Sequence, residues 1–128
     1  MRSLEPNIGG VQAIAPAVLS ATTTGSAIDL QGFEAACLMV NTGDIVSAGD
    51  FAIKLQESDT TTSGDFADID ASHITGSAPA TLEANSVYKL GYIGNKRYLR
   101  AVVTKTGGTS IALGAVLVKG HPHEAPVA

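Results

Sequence analysis

The sequence predicts an all-β protein: a single β-sandwich, jelly-roll-like or Greek key, with extended N- and C-terminal arms. Three observations carry this. There are 14 Gly and 5 Pro among 128 residues, and turn-forming clusters recur about every ten residues, as strand-and-turn proteins require. The apolar residues make up 45% of the chain but include only 3 Phe, 3 Tyr and no Trp. Their bulk is Ala and branched aliphatics, which suit pleated, half-buried surfaces. Finally, no stretch shows the 3.6-residue apolar period of an amphipathic helix, whereas seven to nine stretches read as strands.

In chain order, residues 1–10 mix polar, Pro and Gly residues without periodicity. Gln12 to Ser20 is apolar at nearly every position, but Pro16 lacks an N–H and excludes a helix interior or a central strand. Residues 1–20 therefore read as an N-terminal extended arm or edge segment, residues 21–119 as the sandwich, and residues 120–128 as an extended tail. Within the sandwich, Thr22 to Gly25 forms a loop, Ser26 to Leu30 a short strand, and Gln31-Gly32 a turn. Phe33 to Asn41 is apolar on both faces, the pattern of a strand buried on both sides. After a turn-rich stretch to Gly49, Asp50 to Glu57 alternates: Phe51, Ile53 and Leu55 face one way, Lys54 and Gln56 the other.

Ser58 to Gly64 is a polar loop tip. Phe66, Ile69 and Ile74 mark a short strand or turn, Gly76 to Ala80 a loop, and Ala80 to Asn85 one helical turn or a plain connection. Ser86 to Tyr92 is a strand. The strongest β pattern follows, with Tyr98 to Thr104 and Ile111 to Lys119 flanking Thr106-Gly107-Gly108-Thr109. Glycine accepts the positive φ of a tight hairpin turn, so these two strands are expected to pair as the central hairpin.

Composition excludes several function classes. A net charge of −4 and a pI near 5.1 argue against nucleic-acid or anionic-membrane partners, which need a basic face. No apolar run approaches the roughly 20 residues of a membrane helix. One Arg and an apolar stretch broken by Pro16 do not make a secretory signal. The single cysteine, Cys37, cannot form an intrachain disulfide; among Ala35, Ala36, Leu38 and Met39 it reads as a buried, inert thiol of a chain assembled in a reducing cytoplasm.

No catalytic constellation emerges, and no cofactor is implied. Glu57, Asp59, Asp65, Asp68 and Asp70 form an acidic stretch that lacks the ligand spacing of a calcium loop and reads as a solvated loop. His121, His123 and Glu124 resemble a metal trio, but Pro122 sets them on an extended tail and the chain supplies no obvious further ligand, while His73 stands alone. No serine sits in a Gly-x-Ser-x-Gly turn and no glycine loop precedes a helix to cradle phosphate. Four of the eight basic residues, Lys89, Lys96, Arg97 and Arg100, fall within twelve positions. Set against the acidic stretch, they read either as an intramolecular salt network or as half of a subunit contact. The candidate interface residues are Lys96, Arg97, Tyr98 and Arg100, since Arg pairs carboxylates bidentately and Tyr is an amphipathic anchor.

The blocks Ala21 to Gly25, Ile28 to Gly32, Leu55 to Ser58 and, above all, Gly91-Tyr-Ile-Gly-Asn-Lys-Arg-Tyr-Leu-Arg100 resemble a small family of head-region structural proteins from tailed bacteriophages and prophages. The resemblance runs from about Ala21 to Pro126. It implies a non-enzymatic virion structural protein, most simply a capsid decoration (cement) protein. Made in the bacterial cytoplasm and carried on the capsid surface, it would have as partners the major capsid protein and further copies of itself, as a homodimer or homotrimer. The alternatives are a tail or head–tail connector protein and, from a different class, a glycan- or small-molecule-binding β-sandwich. Scarce aromatics disfavour the last.

Overall fold

Alternating burial along the strands sorts the chain into two antiparallel sheets that face each other across one core. A computed structural model describes residues 3–76 and 79–123. Among the described residues it contains ten strands and no α-helix. The first five are β1 (Gly9–Leu19), β2 (Thr23–Thr24), β3 (Ile28–Asp29), β4 (Phe33–Val46) and β5 (Asp50–Ser58). The rest are β6 (Ala67–Asp68), β7 (Ile74–Thr75), β8 (Val87–Tyr92), β9 (Tyr98–Gly107) and β10 (Ser110–Pro122). One sheet has the order β1-β10-β4-β8-β7. In the other, β9 lies beside β5, β5 beside β6, and the short β2 and β3 share the far edge of β9. The all-β sandwich expected from the sequence is the fold observed.

Fully buried side chains from both sheets fill the space between them, with Leu38, Val40, Ile111 and Leu117 from the first sheet against Phe51, Leu99 and Val103 from the second. Strand alternation explains the set. On β10 the odd positions Ile111, Leu113, Ala115 and Leu117 point inward, and on β5 so do Phe51, Ile53 and Leu55. The stretch 80–85, ambiguous in sequence, is an irregular connection that plugs the core. Leu82 is 1% exposed and its N–H donates to the Phe51 carbonyl at 2.8 Å. Thr42 pins the same connection: its Oγ1 donates to the Glu83 carbonyl at 2.6 Å and accepts the Ser86 N–H at 3.0 Å.

The connection expected to make a central hairpin does not make one. β9 pairs with β5, whereas β10 pairs with β4 and β1. The Gly107-Gly108 corner therefore carries the chain from one sheet to the other. The β4-to-β5 corner does the same through Ser47 and Ala48, both at positive φ, and Gly49. These two corners are stacked. Gly108 (φ +73°) lies so close that an added Cβ would sit inside the Ala48 carbonyl group and 2.5 Å from the Gly49 Cα. A local Gly-Gly signal is the same for a hairpin and for a sheet-changing corner; here pairing of β9 with β5 and β10 with β4 decides between them. Of the nine connections between the described strands, six change sheet, while β2 to β3, β5 to β6 and β7 to β8 stay within one.

The N-terminal segment becomes edge strand β1 from Gly9 onward. Its register on β10 slips twice, between Gln12 and Ile14 and between Ile14 and Ala17. Pro16 falls in the second slip, where no ladder N–H is needed. Ala13 and Ile14, adjacent in sequence, both reach the core because of the bulge. At the other end β10 extends to Pro122, three residues into the expected tail of residues 120–128. Residues 124–128 of that tail lie outside the described residues.

Candidate interaction surface

A sandwich has two outer faces, and here they differ sharply in chemistry. Among the outward residues of β5, β6 and β9, the polar Lys54, Gln56, Asp68 and Arg100 pair with one another beside the apolar Ala52 and Val102. Lys54 Nζ lies 3.0 Å from Asp68, and Gln56 Nε2 donates to Asp68 Oδ1 at 2.9 Å. Arg100 Nε donates to Gln56 Oε1 at 2.7 Å, with its guanidinium 4.4 Å from the centre of the Phe66 ring. The Gln56 hydrogen bond, followed by Lys54, holds the Asp68 carboxyl below the usual carboxylate range. This face is finished against water.

The outer face of the β1-β10-β4-β8 sheet is different. On β10 the outward positions are Ala112, Gly114, Val116 and Val118. Registered beside them on β4 are Met39, opposite Val116, and Cys37, opposite Val118. On β8, Val87 stands opposite Asn41 and Lys89 opposite Met39. Along β10 from Ala112 to Val118 and along β4 from Ala35 to Asn41, no outward side chain is charged; Lys89 marks the margin. Val18, Val87 and Val116 are 69%, 61% and 45% exposed. Pro16 packs on Gly114, where an added Cβ would lie 3.1–3.2 Å from its ring, and an open apolar groove of about 940 Å³ runs between Pro16, Val18, Met39, Val87 and Val116.

The two-sided burial expected for Phe33 to Asn41 is corrected here. Ala36, Leu38 and Val40 are buried in the core, but Ala35, Cys37 and Met39 on the opposite side are only half-buried. Cys37 is likewise not a core thiol; it lies on this outer face with intermediate exposure.

The candidate interface residues from the sequence lie elsewhere, at the β8–β9 loop and the start of β9. Arg97 makes a bidentate pair with Asp29, Nε to Oδ1 at 2.9 Å and Nη2 to Oδ2 at 2.8 Å, and Nη2 also donates to Gln31 Oε1 at 2.7 Å. This fork holds the Asp29 carboxyl down to about 2. Lys96 Nζ lies 2.8 Å from Asp59, and that hydrogen bond raises its pKa. Arg97 also sits 5.1 Å from the Tyr98 ring centre. Each of these side chains has an intramolecular partner. Lys96 reaches Asp59 of the acidic stretch, Arg97 pairs with Asp29 and Gln31, and Arg100 pairs with Gln56.

The most specific sequence block has a structural explanation that sequence reasoning missed. Tyr92 is 5% exposed, and its hydroxyl donates across the sandwich to Glu57 Oε1 at 2.6 Å while accepting the Lys96 N–H at 2.9 Å. Burial, followed by the Glu57 hydrogen bond, pushes its pKa up. The loop from Ile93 to Arg97 wraps the ring, with Gly94 so close that an added Cβ would lie 2.5 Å from the hydroxyl. The Gly91 to Arg100 block is a corner that ties the two sheets together.

The remaining candidates are accounted for individually. Asp65 accepts from Thr60 Oγ1 at 2.6 Å, and Asp70 caps Ser72 N–H at 3.0 Å. His123 Nε2 lies 2.5 Å from Glu34 Oε1, and the His123 backbone N–H donates to the Gly32 carbonyl at 2.8 Å. His121 is exposed, His73 lies in an exposed turn, and Glu124 lies outside the described residues. Among the described residues, no group of three His, Cys, Asp or Glu converges on a point, and no helix is long and apolar enough to cross a membrane.

Fold and surface together define a class: a two-sheet antiparallel β-sandwich with one ion-paired outer face and one apolar outer face that no described segment covers. Compared with known proteins, the chain matches no family model and no curated sequence.

Proposed function

We propose that this protein is a non-enzymatic assembly protein of a bacteriophage particle, a capsid decoration protein that associates with itself and binds between major capsid subunits. The observation that supports assembly is the apolar outer face of the β1-β10-β4-β8 sheet. Contiguous apolar surface of this kind, set on an otherwise polar molecule, marks a protein–protein contact. The virion assignment rests on the resemblance carried by Gly91 to Arg100 and its companion blocks. The stacked corners and the Tyr92 tie suit a rigid clip. On this reading the protein stabilises the shell by mass action, binding the assembled lattice in preference to dissociated subunits.

The test is the copy number of the chain in purified, DNA-filled particles, measured by quantitative mass spectrometry against the major capsid protein. Decoration requires a ratio of one or a simple fraction of it. A ratio far lower places the chain in the tail or connector, and absence from the particle overturns the proposal.

A further inference from the structure

We infer that the apolar outer face of the β1-β10-β4-β8 sheet is the seat of a second copy of this chain, packed face to face in an isologous homodimer. The inference deepens the assembly reading but is independent of the capsid assignment. β10 and β4 carry the two-sided apolar pattern of strands covered on both faces, yet within one chain their Ala112, Val116, Cys37 and Met39 side is left partly open. A second sheet at the usual spacing of about 10 Å would complete the cover.

Three further features select a second copy as the occupant. The first is charge. The chain carries −4 overall, and the outward strips of β10 and β4 carry no charge, so a second copy seated there brings no like charges into direct contact. The second is area. Four strands at about 4.8 Å and the nine residues from Ala112 to Gly120 at about 3.4 Å give a face of roughly 19 by 30 Å. Two such faces bury about 1,100 Å², just above the threshold of about 1,000 Å² for a specific interface. The third is relief. Ala112 and Gly43 leave a trough beside the ridges of Val116, Met39 and Val87, so a two-fold axis can set the ridge of one copy into the trough of the other.

Edge pairing is the weaker route to the same dimer. β1 is the long free edge, but its two register slips and Pro16 leave only two short runs, Gly9 to Gln12 and Ala17 to Leu19, in unbroken register. The opposite face is closed by the Lys54–Asp68 and Arg100–Gln56 contacts.

Sedimentation equilibrium of the full chain, together with Val116→Glu, Val87→Glu and Lys54→Glu, tests this. The chain mass is 13.0 kDa, so the wild type is expected at twice 13.0 kDa in the micromolar range. The two Val variants should weaken the dimer at least tenfold, while Lys54→Glu should leave it intact. Both valines are exposed, Val87 at 61% and Val116 at 45%, and circular dichroism verifies that each variant folds. A wild-type monomer, a trimer, or a dimer indifferent to both Val substitutions overturns the proposal. A monomer whose Val116→Glu variant no longer joins the particle would assign the face to the shell instead. Copy number in the particle separately decides the capsid assignment, so the two readings fail independently.

Discussion

Replacing Gly108 by Ala tests the feature that distinguishes this fold from the simpler one the sequence suggests. Two costs combine at this position. Gly108 has φ +73°, where a Cβ costs about 1–2 kcal/mol in the left-handed region. The added methyl would also meet backbone on the facing corner, the Ala48 carbonyl and the Gly49 Cα. Backbone cannot rotate away as a side-chain tip can, so the corners must part, at roughly 1–3 kcal/mol for an overpacked site. The sum is about 2–5 kcal/mol, or a fall in Tm of roughly 8–20 °C for a domain of this size. Two controls separate the terms. Gly32 has φ +93° with nothing within 4 Å, so Gly32→Ala should cost only the conformational part. Gly107 has ordinary φ and open space, so Gly107→Ala should change stability by less than about 0.5 kcal/mol or raise it. Urea denaturation of the three variants reads all of this directly. If Gly108→Ala costs no more than Gly32→Ala, the corners do not touch and the sheet-changing connection is refuted.

Three other substitutions probe the tie, the plug and the ion pair. Tyr92→Phe leaves Glu57 without its donor and the Lys96 N–H without its acceptor, and should cost about 1–3 kcal/mol with the fold retained, measured by denaturant midpoint. Leu82→Ala empties a fully enclosed site in an irregular connection and should cost about 2–5 kcal/mol, as a core Leu in a strand would. Asp29→Asn acts through pH. The folded carboxyl is held below its ordinary value, to about 2, so its stabilisation is present above pH 3.8 and disappears as pH falls toward 2. The pair is about half exposed, so screening keeps the effect under about 1 kcal/mol at neutral pH. Wild type and Asp29→Asn should converge in stability near pH 2; a gap that persists there would contradict the assignment.

What was legible in the sequence was local. The alternation of Phe51, Ile53 and Leu55 against Lys54 and Gln56 is a two-residue period, and it gives β5 and its polar outer face directly. Pro16 located an edge strand because a missing N–H has few places to go. What was not legible depended on pairing over long separations. Gly107-Gly108 presents the same turn chemistry whether β9 folds onto β10 or crosses to the other sheet, and only the partners β5 and β4 settle it. Leu82 lies in a stretch without periodicity, so nothing nearby signals that it fills the core. The basic cluster was visible, but its partners Asp29, Gln31 and Gln56 lie 44 to 68 residues away.

The outer face was concealed for a different reason, and that reason bears on what the protein does. Hydrophobic patterning reports that a side chain will be covered, without reporting by what. Phe33 to Asn41 and Ile111 to Lys119 are apolar at both parities, which in one chain implies two covering layers. The fold supplies a single layer, through Leu38, Val40, Leu113 and Leu117. The parity left over, Cys37 and Met39 with Ala112, Gly114 and Val116, carries the same small and branched residues as the core, with none of the ion pairs that finish the opposite face. A monomer in water would gain from Lys, Glu or Thr at these positions, as Lys54 and Gln56 show on β5. The proposed face-to-face homodimer accounts for the two-sided pattern, because a second copy would supply the layer these strands lack within one chain.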